Sequence, residues 1–257
     1  MARIHLFEFE DLAWFPKAWR DHGTDFLQFL ANRTNMYAPV VPLLADALVR
    51  SGDHTIVDLA SGGGGGLLRL NKELLQHDPR LRIILTDRFP NTDAFAYTEA
   101  QAPNISSVST PVDARNVPAE LKGLRTQFLS LHHFRPADAA RILQNAVDAS
   151  SAIAVVEAQE RSVPSLIGAF FSPLTVLFTT PFIRPFKWGR LFWTYVIPVV
   201  PLFIWWDGIV SSFRTYSVAE MEGLVAGLQH QDRFDWRIGR VRSGPSAILY
   251  LIGVPKA

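Results

Sequence analysis

Short apolar runs alternate with helix-spaced segments through the middle of the chain. Residues 55–59, 81–86, 105–109, 126–131 and 152–156 are short runs, mostly rich in apolar or β-branched side chains, as buried strands are. Between them, residues 67–75, 91–100 and 136–149 carry apolar positions at helical spacing or helix-start signals such as Pro90-Asn91 and Pro136. Strand and helix in alternation predict a largely parallel, doubly wound α/β sheet. After residue 211 the pattern changes to a helix at 218–229 and two strand-like runs, 234–241 and 247–254, separated by residues 242–246. A closing antiparallel hairpin is the natural reading. Residues 1–50 predict a helical cap, with helix-spaced apolar positions at 25–33 and 40–50 and a stop at Ser51-Gly52-Asp53. The main domain is then 51–257.

One stretch fits neither period. Residues 163–183 contain no charge, a length that would ordinarily suggest a membrane span, and 191–206 is a second uncharged run. Pro164, Pro173, Pro181, Pro185, Pro198 and Pro201 interrupt both, so long unbroken helices are not expected. A spanning hairpin would also carry Arg184, Lys187 and Arg190 to the far side, against the positive-inside tendency. The insertion at 163–211 is therefore expected to be a lid over an apolar pocket, a face for a second copy, or a peripheral membrane contact with Trp188, Trp193 and nearby basic residues at the headgroups.

Composition narrows the classes. Of 257 residues, 48% are hydrophobic, enough for a large core, and a net charge of +1 without a Lys/Arg run argues against nucleic acid as a partner. The absence of cysteine excludes disulfides and thiolate metal sites; no metal is expected. The first ten residues lack the layout of a signal peptide, and a cytoplasmic protein is expected, with the cytoplasmic membrane face as the alternative.

The chemistry starts at residues 56–66, Ile-Val-Asp-Leu-Ala-Ser followed by five glycines. A strand ends in Asp58, enters a turn with almost no side chains, and leads into a helix. Glycine lets the backbone approach a ligand and adopt positive φ. An acid at the strand end repels phosphate but can bind a cationic amino group, which points to S-adenosylmethionine rather than a dinucleotide.

Asp58 to Gly64, Asp87, Val112-Asp113-Ala114, Leu131-His132-His133 and the terminal strand pair together resemble the class I S-adenosylmethionine-dependent methyltransferases. The resemblance covers roughly residues 54–160 and 212–255. It implies a seven-stranded sheet of order 3-2-1-4-5-7-6 with strand 7 antiparallel. The first motif departs from the family at Ala60, where a glycine is usual. By this resemblance Asp58 reaches the methionine amino group, and Ala60, Ser61, Gly62, Gly63 and Gly64 lie against the cofactor. Asp87, with Arg88 beside it, takes the ribose hydroxyls, Asp113 and Ala114 meet the adenine, and Leu131 lines the methyl-transfer region.

Duller roles stay open: Asp87 as a helix cap, Asp113 as a turn residue, and His132 and His133 as packed residues rather than the general base. Position also makes Glu157 a candidate base. Asp207, Arg214 and Tyr216, at the exit of the insertion, are expected either to orient a substrate or to hold an Asp207–Arg214 pair. Glu8, Phe9, Trp14 and Phe15 are expected to close the pocket or to pack as an aromatic core. The function expected is methyl transfer to an oxygen or nitrogen of a hydrophobic small-molecule or lipid-like acceptor. The alternatives are a nicotinamide-dependent oxidoreductase, disfavoured by Leu67 where a third glycine belongs and by the lack of a Tyr-x-x-x-Lys dyad, and a non-catalytic cofactor-binding subunit.

Overall fold

The computed structural model describes residues 1–244 and 246–256. Its seven strands are β1 (Thr55–Asp58), β2 (Arg82–Leu85), β3 (Ile105–Ser107), β4 (Leu124–Phe128), β5 (Ile153–Glu157), β6 (Phe234–Ser243) and β7 (Ser246–Pro255). They form one sheet in the order β3-β2-β1-β4-β5-β7-β6. Neighbours among β1 to β5 are parallel, and β7 runs antiparallel between β5 and β6. This is the expected architecture. The hairpin strands are longer than expected, with Ser243 paired to Ser246; of the anticipated separator 242–246, Pro245 lies outside the described residues.

The strand after Gly123 sits two residues earlier than the hydropathy suggests. β4 reads Leu-Arg-Thr-Gln-Phe, and every residue in it is buried. Arg125 is tolerated because its Nη1 donates to Asn145 Oδ1 at 2.8 Å. Polar residues inside the sheet hide the strand from an apolar-run reading. Leu129 then turns the chain with φ +49°, and Leu131–His133 form a 3-10 turn.

Helices α2 (Val41–Ser51), α3 (Leu67–Leu74) and α4 (Thr92–Gln101) cover one face of the sheet, where Leu44, Leu48, Leu70, Leu74 and Phe95 pack on Ile56, Ile83 and Leu85. On the other face α5 (Pro136–Asp148) and α10 (Val218–Ala226) bury Ile142, Leu143, Met221 and Val225 against Val57, Val155 and Leu251. Removing these apolar surfaces from water is the main stabilising term.

The cap helix α1 runs Lys17–Thr34, eight residues longer at its start than the apolar spacing predicts. Its buried face is largely polar, including Arg20, His22, Asp25 and Gln28, so hydrophobic periodicity could not reveal it. The insertion folds as α6 (Val163–Phe170), α7 (Ser172–Thr179), α8 (Trp188–Leu191), a π turn at Phe192–Val196, and α9 (Val199–Arg214). Among the described residues no single helix is long and apolar enough to cross a membrane; two pairs would suffice together but bend by 44° and 79°. Phe15 and Phe26 of the cap join Val176, Ile183, Val200, Phe203 and Ile204 of the insertion in a third apolar cluster. A buried ion pair locks the two: Asp25 accepts from Arg190 at 2.5 Å and faces Lys187 Nζ at 3.0 Å. Neither cation is therefore free for lipid headgroups, and Trp193 is half-buried with its ring 5.2 Å from that of Trp19.

Candidate active site

A cavity of about 750 Å³ lies between the carboxyl ends of the strands, α1 and the insertion. The sheet builds one side of it. Asp87 follows β2 and lines the cavity; its Oδ2 accepts from Gly62 N and its Oδ1 from Phe89 N, both at 2.7 Å. Burial raises the Asp87 pKa, and the two N–H groups oppose that rise. Each carboxylate oxygen keeps a further acceptor site for a ligand. Gly62, at φ +56°, and Gly63 present backbone to the cavity, and a Cβ on Gly63 would lie 2.8 Å from Thr24 O of α1. The turn is thus clamped between β2 and the cap. Ala60 takes the place of a glycine at φ +57°, a strained conformation worth roughly 1–2 kcal/mol for an L residue.

Several expected cofactor contacts lie elsewhere. Asp58 does not face the cavity: its carboxylate accepts from Ser61 Oγ at 2.7 Å and Thr126 Oγ1 at 2.6 Å, and burial pushes its pKa up to about 7. Its place in the structure is to fix the Ser61 turn against β4, while Ala60 and Ser61 themselves line the cavity. Gly64, at φ +91°, points at Thr98 and Gln28 instead. Leu131 is buried in the second-face core, because β4 ends early and Leu129, Ser130 and His132 take the lining positions. Arg88, Asp113 and Ala114 do line the cavity; Asp113 is held by Arg115 at 2.6 Å, which lowers its pKa.

Ser130 was not singled out by sequence and carries a clear signal. Ser130 lines the cavity, and its buried Oγ has no hydrogen-bond partner among the described residues. A buried hydroxyl in that position calls for a ligand group or water. It shares the cavity with Asp87 and the Gly62–Gly63 backbone, which add acceptors and donors there.

The two histidines differ. Glu157, at the end of β5, accepts from the backbone N of His132 at 3.1 Å and from its Nδ1 at 2.8 Å. That two-point hold places the proton on Nδ1 and leaves Nε2 as the acceptor, 3.9 Å from Glu8 Oε2. His133 lies against Asp11 at 2.8 Å and Glu8 at 3.4 Å. Burial disfavours its charged form, but the two carboxylates outweigh this and raise its pKa to about 10. His133 is accordingly a proton holder at neutral pH, whereas the hold by Glu157 leaves His132 Nε2 as an acceptor. Glu157 is fully buried and supports His132 rather than lining the cavity.

Glu8, His132 and His133 bring ligand atoms within 4.8 Å of one another, as a metal site would. The surroundings oppose a cation: Arg214 Nη1 sits 3.1 Å from Glu8 and 2.6 Å from Asp11. The group is an ion-pair cluster of Glu8 and Asp11 with His133 and Arg214.

The anticipated Asp207–Arg214 pair does not form. Asp207 lines the cavity and accepts from Phe9 N at 2.8 Å and Glu10 N at 3.2 Å; burial, with the charge of Glu8 adding, pushes its pKa to about 7. Arg214 is buried away from the cavity, donating to the carbonyls of His132 and His133. Tyr216 donates to Phe134 O and is packed under Arg3. Neither is a substrate contact. Phe9 and Phe15 belong to the third apolar cluster and Trp14 is 69% exposed; of the segment before α1, it is His5, Glu8, Glu10 and Asp11 that line the cavity. Burial, then Asp207, raises the Glu10 pKa to about 8.

No protein-family model matches the chain, and no curated protein matches it. Solved structures do. A plantazolicin methyltransferase, BpumL, in complex with SAH is similar over 93% of this chain and 96% of its own, with TM-score 0.55 and 10% identity. PigF with SAH is similar over 96% of this chain and 63% of its own (TM-score 0.52, 17% identity). An O-methyltransferase family protein from Burkholderia thailandensis is similar over 89% and 59% (TM-score 0.51, 17% identity). The chain thus spans about six tenths of the length of the last two. Strand order, the antiparallel seventh strand and these likenesses agree: the chain has the fold of the class I methyltransferases.

Proposed function

We propose that the protein is an S-adenosylmethionine-dependent methyltransferase acting on a hydroxyl of a largely apolar acceptor. One observation carries the reading: a single cavity joins the glycine turn, Asp87 and the unpartnered Ser130 hydroxyl to the Nε2 side of His132. Nicotinamide chemistry is disfavoured by topology, since dinucleotide folds continue their parallel sheet where β7 here reverses.

When bound, S-adenosylmethionine supplies an electrophilic methyl group. Asp87 is placed to accept from ribose hydroxyls, the Gly62–Gly63 backbone to lie along the cofactor, and Asp113–Ala114 to border the base. His132 Nε2 accepts the proton of the acceptor hydroxyl, and Glu157 holds the ring in the tautomer that permits it. The insertion and cap exclude water, and positioning then supplies much of the rate. Phe26, Leu30, Phe203 and Ile204 give the acceptor apolar walls, and Glu8, Glu10 and Asp207 set polar carboxyl groups beside them.

The test is incubation with methyl-labelled S-adenosylmethionine and a panel of hydrophobic phenols and alcohols. Label transfer to oxygen supports the reading. Transfer to nitrogen only, or no turnover of any member, counts against it.

A further inference from the structure

Large and small side chains are segregated on α6 and α7 in the opposite sense to a buried helix pair. Ser165, Gly168, Ala169, Ser172 and Thr175 line the cavity. On the other face Val163, Ile167, Phe170, Leu174 and Phe178 form a stripe at helical spacing, each more than half exposed and Phe178 76% exposed. The stripe continues past the helices to Phe182, Phe186 and Trp188, of which Trp188 is 77% exposed. Tyr195, itself 48% exposed, ties the second arm to α7 by donating to Leu177 O, so both arms present one surface. Isolated exposed apolar residues are ordinary, but a continuous patch marks an interaction site.

Charge identifies the occupant. Residues 163–206 hold three cations and no acid. Lys187 and Arg190 are tied to Asp25, which leaves Arg184 as the exposed cation, its guanidinium 5.7 Å from the Phe186 ring, which in turn packs edge-on to Trp188. Aromatic rings beside an arginine suit the boundary between headgroups and acyl chains. A two-fold pairing of identical patches would set Arg184-bearing surfaces against each other. No single helix of the two arms is long enough to span, and the pairs bend by 44° and 79°, a shape that suits lying in the interface.

We propose that this face docks on an anionic bilayer, and that the acceptor enters the cavity from the lipid side past the small residues of α6 and α7. Docking stands independently of the chemistry; the entry route rests on the methyl-transfer reading.

The experiment is sedimentation of the full chain with phosphatidylcholine vesicles, with and without phosphatidylglycerol, alongside calorimetry with S-adenosylhomocysteine. Wild type should co-sediment, more strongly with the anionic vesicles. Phe178→Glu and Phe182→Glu should each weaken partitioning by about tenfold or more. Arg184→Glu should weaken binding to anionic vesicles about five- to tenfold and leave neutral vesicles nearly unchanged. All three should unfold cooperatively and bind S-adenosylhomocysteine as wild type does, which separates lost docking from lost fold. Soluble protein that binds S-adenosylhomocysteine but neither vesicle overturns docking and leaves the enzyme reading intact. A dimer lost in the two phenylalanine variants, without vesicle binding, assigns the face to a second copy and also overturns it. Equal binding to both vesicles overturns the anionic surface. Vesicle binding without S-adenosylhomocysteine binding would keep docking and sink the methyl-transfer reading.

Discussion

The two walls of the cavity are built by different rules. On the sheet side, function sits on backbone: Asp87 is fixed by the N–H groups of Gly62 and Phe89, and Glu157 grips both backbone and ring of His132. Position there follows from strand register, so a residue's place at a strand end foretells its direction. On the insertion side, α6 and α7 are sorted by side-chain size, with small residues turned in and large ones out, while Phe203 and Ile204 of α9 add an apolar wall. The first wall tolerates little change in its polar atoms, while the second should tolerate many apolar exchanges provided that size stays sorted.

The largest expected effect tests the first wall. His132→Asn should lower kcat by about 10²–10⁴-fold while S-adenosylhomocysteine affinity stays within a few-fold, because it removes the base and leaves the cofactor half untouched. Glu157→Gln should lower kcat by less. A His133→Asn variant that loses as much kcat as His132→Asn would reverse the roles assigned here.

Next is the clamp that joins the walls. Asp25 is fully buried between Arg190 and Lys187, so Asp25→Asn leaves two cations facing a neutral amide and should cost about 3–5 kcal/mol in urea unfolding. The exposed Arg50–Asp235 pair is the control, where Asp235→Asn should change stability by no more than about 1 kcal/mol. Equal effects would mean that the insertion is not held in this way.

The last test is pH dependence. The folded pKa of His133, about 10, lies above its unfolded value of about 6.5. Its contribution is therefore complete below pH 6.5 and is lost as pH rises through 10. The Tm difference between wild type and His133→Asn should shrink between pH 6.5 and 10; a constant or growing difference would contradict the ion-pair cluster.

Much of the sheet wall is legible in the sequence, because alternating strands and helices set the topology and strand-end acids follow from it. Asp87 and Asp113 reach the cavity as anticipated. Asp58 does not, since nothing local announces that Thr126, on the neighbouring strand, and Ser61 will take its oxygens. Arg214 is the clearest failure: its partners Glu8 and Asp11 lie some two hundred residues away, and only the docking of the amino terminus on α9 brings them together. Polar burial misled in the same way along α1 and β4, where period-based reading sees charge and stops. Ser130 became visible only as an unpartnered atom, a property that sequence does not carry.

The most direct test of the cofactor crevice is calorimetric titration of wild type and Asp87→Asn with S-adenosylhomocysteine and with NAD. One-to-one binding of S-adenosylhomocysteine, weakened about 10- to 100-fold by Asp87→Asn, with no heat from NAD, is the predicted result. Binding of NAD in its place, or S-adenosylhomocysteine affinity that Asp87→Asn leaves unchanged, would contradict it.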